Sequence, residues 1–413
     1  MIQRTLKNEI IEHLGKKEIT IISGARQVGK TTMLREIIEE LRAQQQMVLF
    51  LNLDIDAHSV YFVSQETLLK KIALEIGSSG YVFIDEIQRL DNAGLFLKGL
   101  YDRNLNYKFV ITGSGSLELK EKIKESLAGR KRLFEMEPVT FTEFTNYKTN
   151  YKYINNLPLF YELEKQQTQE LLLEYLNYGG YPRIVTETTL SEKLKLMDEI
   201  FSSYVEKDLV YLLKIERPEV FHLLIRLLAS QTGNIINHSE LASHCGSALP
   251  TLKRYLYYAE KTFCINYVSP YFTNPLKELT KSPTYYFSDI GLRNFALGQM
   301  GTLSLPNQLG FVFQNFVFNL LKTKFNQSHT TLHYWRTTDK AEVDFVVKRP
   351  SAILPIEVKY SELNTQTISR SFRSFIAKYK PAEAWIINRN FESELKIDET
   401  NIRFLPFYKI NEQ

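Results

Sequence analysis

The run GARQVGKT, from Gly24 to Thr31, limits the possible folds of this chain more than any other stretch. It reads G-x-x-x-x-G-K-[ST] and stands between an apolar segment, EITIISG, and one with helical spacing of apolar residues, TTMLREIIEELRAQ. Strand, glycine-rich turn and helix in that order make a phosphate-binding loop. The glycines let several backbone N–H groups converge on an anion, beside a helix N-terminus that favours negative charge. Gly24, Ala25, Arg26, Gln27, Val28, Gly29, Lys30, Thr31 and Thr32 are therefore expected to cradle ATP. Lys30 reaches the β- and γ-phosphates and Thr31 ligates Mg2+ in such a loop. Three further apolar strands, MVLFLNLD, YVFIDE and YKFVITGSGS, alternate with helical patterns. That alternation predicts an α/β unit whose parallel sheet is covered on both faces.

Hydrolysis needs more than a cradle. YVFIDE ends in Asp85 and Glu86; Asp85 suits a hold on Mg2+ and Glu86 suits orienting and polarising a water. At the carboxyl end of FVITGSGS, Thr112, Ser114 and Ser116 are placed to sense the γ-phosphate. LAGRKRLFEMEPVTFTEF brings Arg130, Lys131 and Arg132. Arg130 is the candidate for stabilising charge on the transferred phosphoryl group, from this subunit or a neighbouring one in a homo-oligomer; Arg183, in the GGYPR turn, is a second candidate.

These residues carry a resemblance. GARQVGKTT, FIDEIQRL, ITGSGS, LAGR and PVTFTEF resemble the prokaryotic AAA-type ATPases joined to a C-terminal domain of unknown function. The likeness continues through GGYP, YYFSDIGLRN, the GFVFQN helix and VDFVV…IEVK, over nearly the whole chain. It implies a P-loop ATPase followed by a terminal domain related in pattern to restriction-endonuclease-like folds.

The remainder reads as three parts. At 413 residues the chain has room for roughly two to four domains. The expected division is a P-loop ATPase unit (1–150), a helical region (151–230), a winged helix-turn-helix (231–275) and a mixed α/β restriction-endonuclease-like domain (276–413). In ALPTLKRYLYYAEKTF, residues Leu249, Leu252, Leu256, Ala259 and Phe263 share one face, and Lys253, Arg254, Tyr257 and Lys261 fall largely away from it. Such a helix suits the major groove of double-stranded DNA. The formal net charge of +4 neither announces nor forbids that partner. His238, His244 and Cys245 lack a fourth ligand and read as helix residues rather than a zinc site.

AEVDFVVKRPSAILPIEVKY holds the second constellation. Glu357 and Lys359 share a strand face at i and i+2, and a hairpin brings Asp344 to them. Asp344 and Glu357 are candidate Mg2+ or Mn2+ ligands in the D-x(n)-E-x-K arrangement of a nuclease. The place of a further helix acid is taken by Gln314, with Glu342 a possible substitute. Cys245 and Cys264 lack redox or zinc spacing, and no apolar run is long enough to span a bilayer. The expectation is a cytoplasmic Mg2+-dependent ATPase that drives or gates a DNA- or protein-binding C-terminal module. The alternatives are an ATP-regulated nuclease and a nucleotide-gated binding module with negligible turnover.

Overall fold

A computed structural model describes residues 1–114, 127–204, 215–272, 281–325 and 329–412; Ser116 falls outside them. Its first half is built on helix α1 (Leu6–His13), strand β1 (Ile19–Gly24), α2 (Lys30–Ala43), β2 (Val48–Asn52), α3 (Asp56–Ser59), α4 (Gln65–Ile76), β3 (Gly80–Asp85), α5 (Ala93–Asp102), β4 (Tyr107–Ser114) and β5 (Lys131–Met136). The strands form one sheet in the order β2-β3-β4-β1-β5, every pair parallel. All six β1 residues are buried, as helices on both faces require. Strand β4 lies between β1 and β3, so the residues ending β4 separate the phosphate loop from Asp85. Strand β5 was not expected. KRLFEM is an edge strand with four of its six positions partly or fully exposed, so its apolar signal is weak.

A helical stretch follows: α6 (Phe141–Lys148), α7 (Leu157–Leu163), α8 (Lys165–Tyr178), α9 (Pro182–Thr186), α10 (Leu190–Ser203) and α11 (Pro218–Ser230). Then come α12 (His238–His244), α13 (Leu249–Lys261), β6 (Ile265–Pro270), β7 (Thr284–Phe287), α14 (Ile290–Ala296) and α15 (Pro306–Lys324). The chain ends with β8 (Thr331–Arg336), β9 (Glu342–Lys348), β10 (Ile353–Val358), α16 (Arg370–Tyr379), β11 (Glu383–Asn388), β12 (Ser393–Ile397) and β13 (Thr400–Pro406). Strands β6 to β13 make a mixed eight-stranded sheet, order β12-β13-β11-β10-β9-β8-β6-β7. Asn237 caps α12 by accepting from the Ser239 amide at 3.0 Å. β6 pairs antiparallel with β7 and, at Ser269, parallel with β8. The strands on either side of residue 275 therefore belong to one continuous sheet. No helix among the described residues is long and apolar enough to cross a membrane.

The GGYP and SDIGLRN segments turn out to be partners. The buried carboxylate of Asp289 accepts from the Gly180 amide at 2.7 Å and the Leu292 amide at 2.8 Å. Burial pushes its carboxyl up to about 6, and the amides of Gly180, Leu292 and Gly291 pull the other way. A Cβ on Gly180 would collide with the Val139 carbonyl oxygen, and one on Gly291 with that of Tyr178. Asn294 donates to the carbonyls of Leu176 (2.8 Å) and Asn177 (3.0 Å), closing the end of α8. Asp289→Ala leaves at least two buried donors unpaired, so it should cost about 3 kcal/mol. The check is a lower urea midpoint at unchanged slope.

Candidate active site

The phosphate loop is shaped by its neighbours as well as by its own glycines. A Cβ on Gly24 would strike the Met136 carbonyl oxygen of β5, and Gly29 holds a φ of +101° at the entrance to α2. Lys30, the first residue of α2, is buried, and its Nζ donates to the carbonyls of Gly24 (3.0 Å) and Ala25 (2.6 Å). Its ammonium thus lies folded over the loop.

Asp85, at the end of β3, is 1% exposed. Thr31 Oγ1 donates to Asp85 Oδ2 at 2.9 Å, and Asn52 Nδ2 donates to the same oxygen at 3.2 Å. Thr112 Oγ1 donates to Asp85 Oδ1. The Thr112 hydroxyl, expected to sense the γ-phosphate, thus points at Asp85 and accepts from the Glu86 amide at 3.4 Å. Ser114 pairs with Gly24 across the sheet. The hydroxyls of Ser114 and of Ser23 are buried without a hydrogen-bond partner among the described residues. Buried hydroxyls ordinarily find partners, so two orphans beside an anion-shaped loop fit a ligand that brings acceptor oxygens. The donor set of Thr31 hydroxyl and Asp85 carboxylate, both oxygen ligands, fits Mg2+.

Glu86 adopts a left-handed backbone, φ 59° and ψ 41°. For a residue with a Cβ this costs on the order of 1 kcal/mol and is found most often at functional sites. Gln88 Nε2 donates to its Oε2, while Gln88 Oε1 accepts from the Ser114 amide at 3.3 Å. Burial raises the Glu86 pKa, Lys30 opposes that, and Asp85 adds to it. Asn52 and Gln88 were not anticipated. Asn52 faces Asp85 only through the β2–β3 register, and Gln88 follows Glu86 by two positions in a short 3-10 turn.

Of the two arginines, the weaker candidate is the one beside the loop. The Arg130 carbonyl accepts from the Ile19 amide at 2.9 Å, at the amino end of β1, and its guanidinium pairs with Asp102 at 2.8 Å. Six strand steps of about 3.3 Å separate it from Met136, which faces Gly24, so it lies about 20 Å from the loop, beyond the reach of an arginine side chain. This overturns Arg130 as a finger acting within its own subunit: it lies at the wrong end of the sheet. Arg183 Nη1 instead reaches Gln27 Oε1 at 3.3 Å and Glu199 Oε2 at 3.0 Å.

The terminal carboxylates come together as the hairpin requires, since the β9–β10 register places Phe345 opposite Ile356 and Asp344 next in line with Glu357. Asp344 accepts from Gln314 Nε2 at 2.9 Å and from the Val358 amide at 2.7 Å. Burial pushes its carboxyl up to about 7. Glu357 Oε1 pairs with Lys359 at 2.7 Å, while its Oε2 is buried and unpartnered. Glu342 pairs loosely with Arg336 at 3.6 Å. No group of three or more His, Cys, Asp or Glu side chains among the described residues is arranged to hold a metal ion. On α13, Lys253 and Arg254 are exposed, and Tyr255, not expected inside, is buried beside Leu252, Leu256 and Ala259. His238 Nε2 meets Tyr285 Oη at 2.9 Å, and Cys245 and Cys264 are buried free thiols.

Residues 16–145 match the family described as AAA domain, residues 169–303 a domain of unknown function (DUF8612) and residues 309–410 a second one (DUF4143). The chain is 27% identical over 377 residues to an uncharacterized protein of Mycobacterium tuberculosis, spanning 91% of this chain and 77% of that one. It is 26% identical over 411 residues to an uncharacterized protein of Methanocaldococcus jannaschii, spanning 98% and 85%. Among solved structures, the ORC1 protein of Aeropyrum pernix in complex with DNA superimposes with a TM-score of 0.31 and 13% identity, over 70% of this chain and 91% of that one. In sequence the chain is thus similar to an AAA domain followed by two domains of unknown function.

Proposed function

We propose that this chain is a Mg2+-dependent ATPase whose nucleotide cycle gates its C-terminal module, with duplex DNA as the partner. The observation that carries the reading is the convergence of Lys30, Thr31, Asp85 and Glu86 at one edge of the parallel sheet, with Thr31 Oγ1 2.9 Å from Asp85 Oδ2. In this reading the loop amides and Lys30 hold the triphosphate, and Thr31 and Asp85 hold the metal. Bound Mg2+ supplies charge that polarises the β- and γ-phosphate oxygens. Glu86 takes a proton from the attacking water, and its raised pKa suits a general base. Ser114 offers its orphan hydroxyl to the phosphate, and Arg183, beside Gln27, meets developing charge.

Gating has a physical route. A Cβ on Gly29 would sit 3.8 Å from Pro182, and Arg183 touches Gln27. A loop that moves on binding phosphate is felt at GGYPR, which Asp289 fastens to α14. We assign residues 231–275, with α12, α13 and β6, as a winged helix-turn-helix presenting Lys253, Arg254, Tyr257 and Lys261 to DNA, between the helical region (151–230) and the terminal domain (276–413).

A second reading keeps the terminal domain as a nuclease. The unpartnered Glu357 Oε2, next to Lys359 and in line with Asp344, favours it. One experiment serves both: ATP and duplex DNA are incubated with the protein, in Mg2+ and in Mn2+, and phosphate release and DNA length are followed. The proposal expects phosphate release stimulated by intact DNA; release indifferent to DNA removes DNA as the partner. Strand cleavage lost in Glu357→Ala would install the second reading in place of simple gating.

A further inference from the structure

The residues ahead of the AAA-like segment hold the phosphate loop from outside. Arg4 Nη1 donates to the Val28 carbonyl at 2.8 Å. Its Nη2 donates to the carbonyls of Glu137 and Pro138, beyond the end of β5, and its Nε pairs with Glu143 Oε2 at 3.1 Å. Both side chains are nearly buried, at 8% and 6% exposure. Glu143 is itself held, accepting from the Thr5 amide at 2.7 Å and the Thr140 amide at 2.9 Å. Ile2 packs into the same apolar cluster as Phe141, Phe144 and Phe316, and the Gln3 amide donates to Tyr151 Oη at 2.8 Å. An arginine fork fixed on three sides thus ends on one backbone carbonyl of the loop.

That carbonyl matters because of peptide planarity. In a trans peptide the C=O of one residue and the N–H of the next point in opposite directions. No peptide bond among the described residues is cis. Holding Val28 C=O outward on Arg4 therefore turns the Gly29 N–H toward the other side, into the concave side of the loop. Gly29, at φ +101°, is the residue that tolerates this turn. An unheld Val28–Gly29 peptide is free to rotate and present its carbonyl to the phosphates.

We propose that Arg4 is a positioning residue for the nucleotide: by fixing the Val28–Gly29 peptide it keeps the Gly29 amide aimed at the phosphates. The proposal rests on the reading of this loop as an ATP site. A guanidinium can span the Val28, Glu137 and Glu143 oxygens at once, whereas a lysine ammonium is a single point charge.

The test uses the full chain as wild type, Arg4→Ala, Arg4→Lys and Lys30→Ala. Hydrogen exchange over residues 24–32 of the nucleotide-free protein should rise in Arg4→Ala, more than in the remaining segments, beside a lowered melting temperature because Glu143 loses its buried partner. Calorimetric titration with Mg-ATP should show affinity about tenfold weaker in Arg4→Ala and intermediate in Arg4→Lys. Turnover at saturating ATP should stay within about twofold, a KM effect rather than a kcat effect. Wild-type loop exchange and wild-type affinity in Arg4→Ala overturn the proposal. Should that variant unfold, Arg4→Lys decides by the same two readouts. Wild-type protein that binds Mg-ATP no better than Lys30→Ala instead sinks the ATP reading, and the exchange measurement still judges the role of Arg4 in the loop.

Discussion

Glu86→Gln is expected to bind Mg-ATP within about twofold of wild type while lowering turnover by a factor of about a hundred to ten thousand, the usual contribution of a positioned general base. The substitution keeps shape, so Gln88 and the left-handed turn retain their places. What it removes is the basic carboxylate that accepts a proton from water. The pH profile gives a second check. Burial raises the Glu86 pKa above the ordinary glutamate range, and the working form is the carboxylate. Activity should therefore fall as pH drops through that raised value, so the acid limb of kcat lies above the range of an exposed glutamate. In Glu86→Gln that limb should vanish. A variant that lost binding and turnover together would move Glu86 from the chemistry to the cradle.

Lys30→Ala should act differently, weakening Mg-ATP affinity by about a hundredfold or more. A charge-assisted contact between an ammonium and a triphosphate in a nearly buried site is worth on the order of 3 kcal/mol. Removing Lys30 also frees the buried Gly24 and Ala25 carbonyls it touches, so the fold of the unliganded variant is read beside its affinity. Lys30→Arg is not expected to rescue, since a planar fork cannot occupy the place of a compact ammonium. The check is calorimetric titration of both variants beside a thermal melt. An unchanged Kd in Lys30→Ala, at an unchanged melting temperature, would contradict the assignment of the loop.

Much of the nucleotide edge was legible because it is local. The G-x-x-x-x-G-K-[ST] spacing names its own strand, turn and helix, which are β1, the loop and α2. The parity of Glu357 and Lys359 also held, their side chains meeting at 2.7 Å. Gln314 does reach Asp344, but as a donor.

What local pattern could not give was position along the sheet. Arg130 reads as a finger because it ends LAGR, yet a parallel strand has a working end and a far end, and the chain enters β5 at the far one. Strand β12 went unread because SELKI alternates between partly and fully exposed positions, with no buried face to reveal it. Asn52, Gln88 and Arg4 act through register and tertiary contact. No spacing rule links residue 4 to residue 28, and only the assembled turn after β5 brings them together.

The most direct measurement is steady-state phosphate release from ATP by the purified chain, in Mg2+ and in excess chelator, with Glu86→Gln assayed beside it. Release that needs Mg2+ and falls at least a hundredfold in the variant is the expected result. Release no greater in wild type than in Glu86→Gln, from protein that binds Mg-ATP, would contradict hydrolysis as the work of this site.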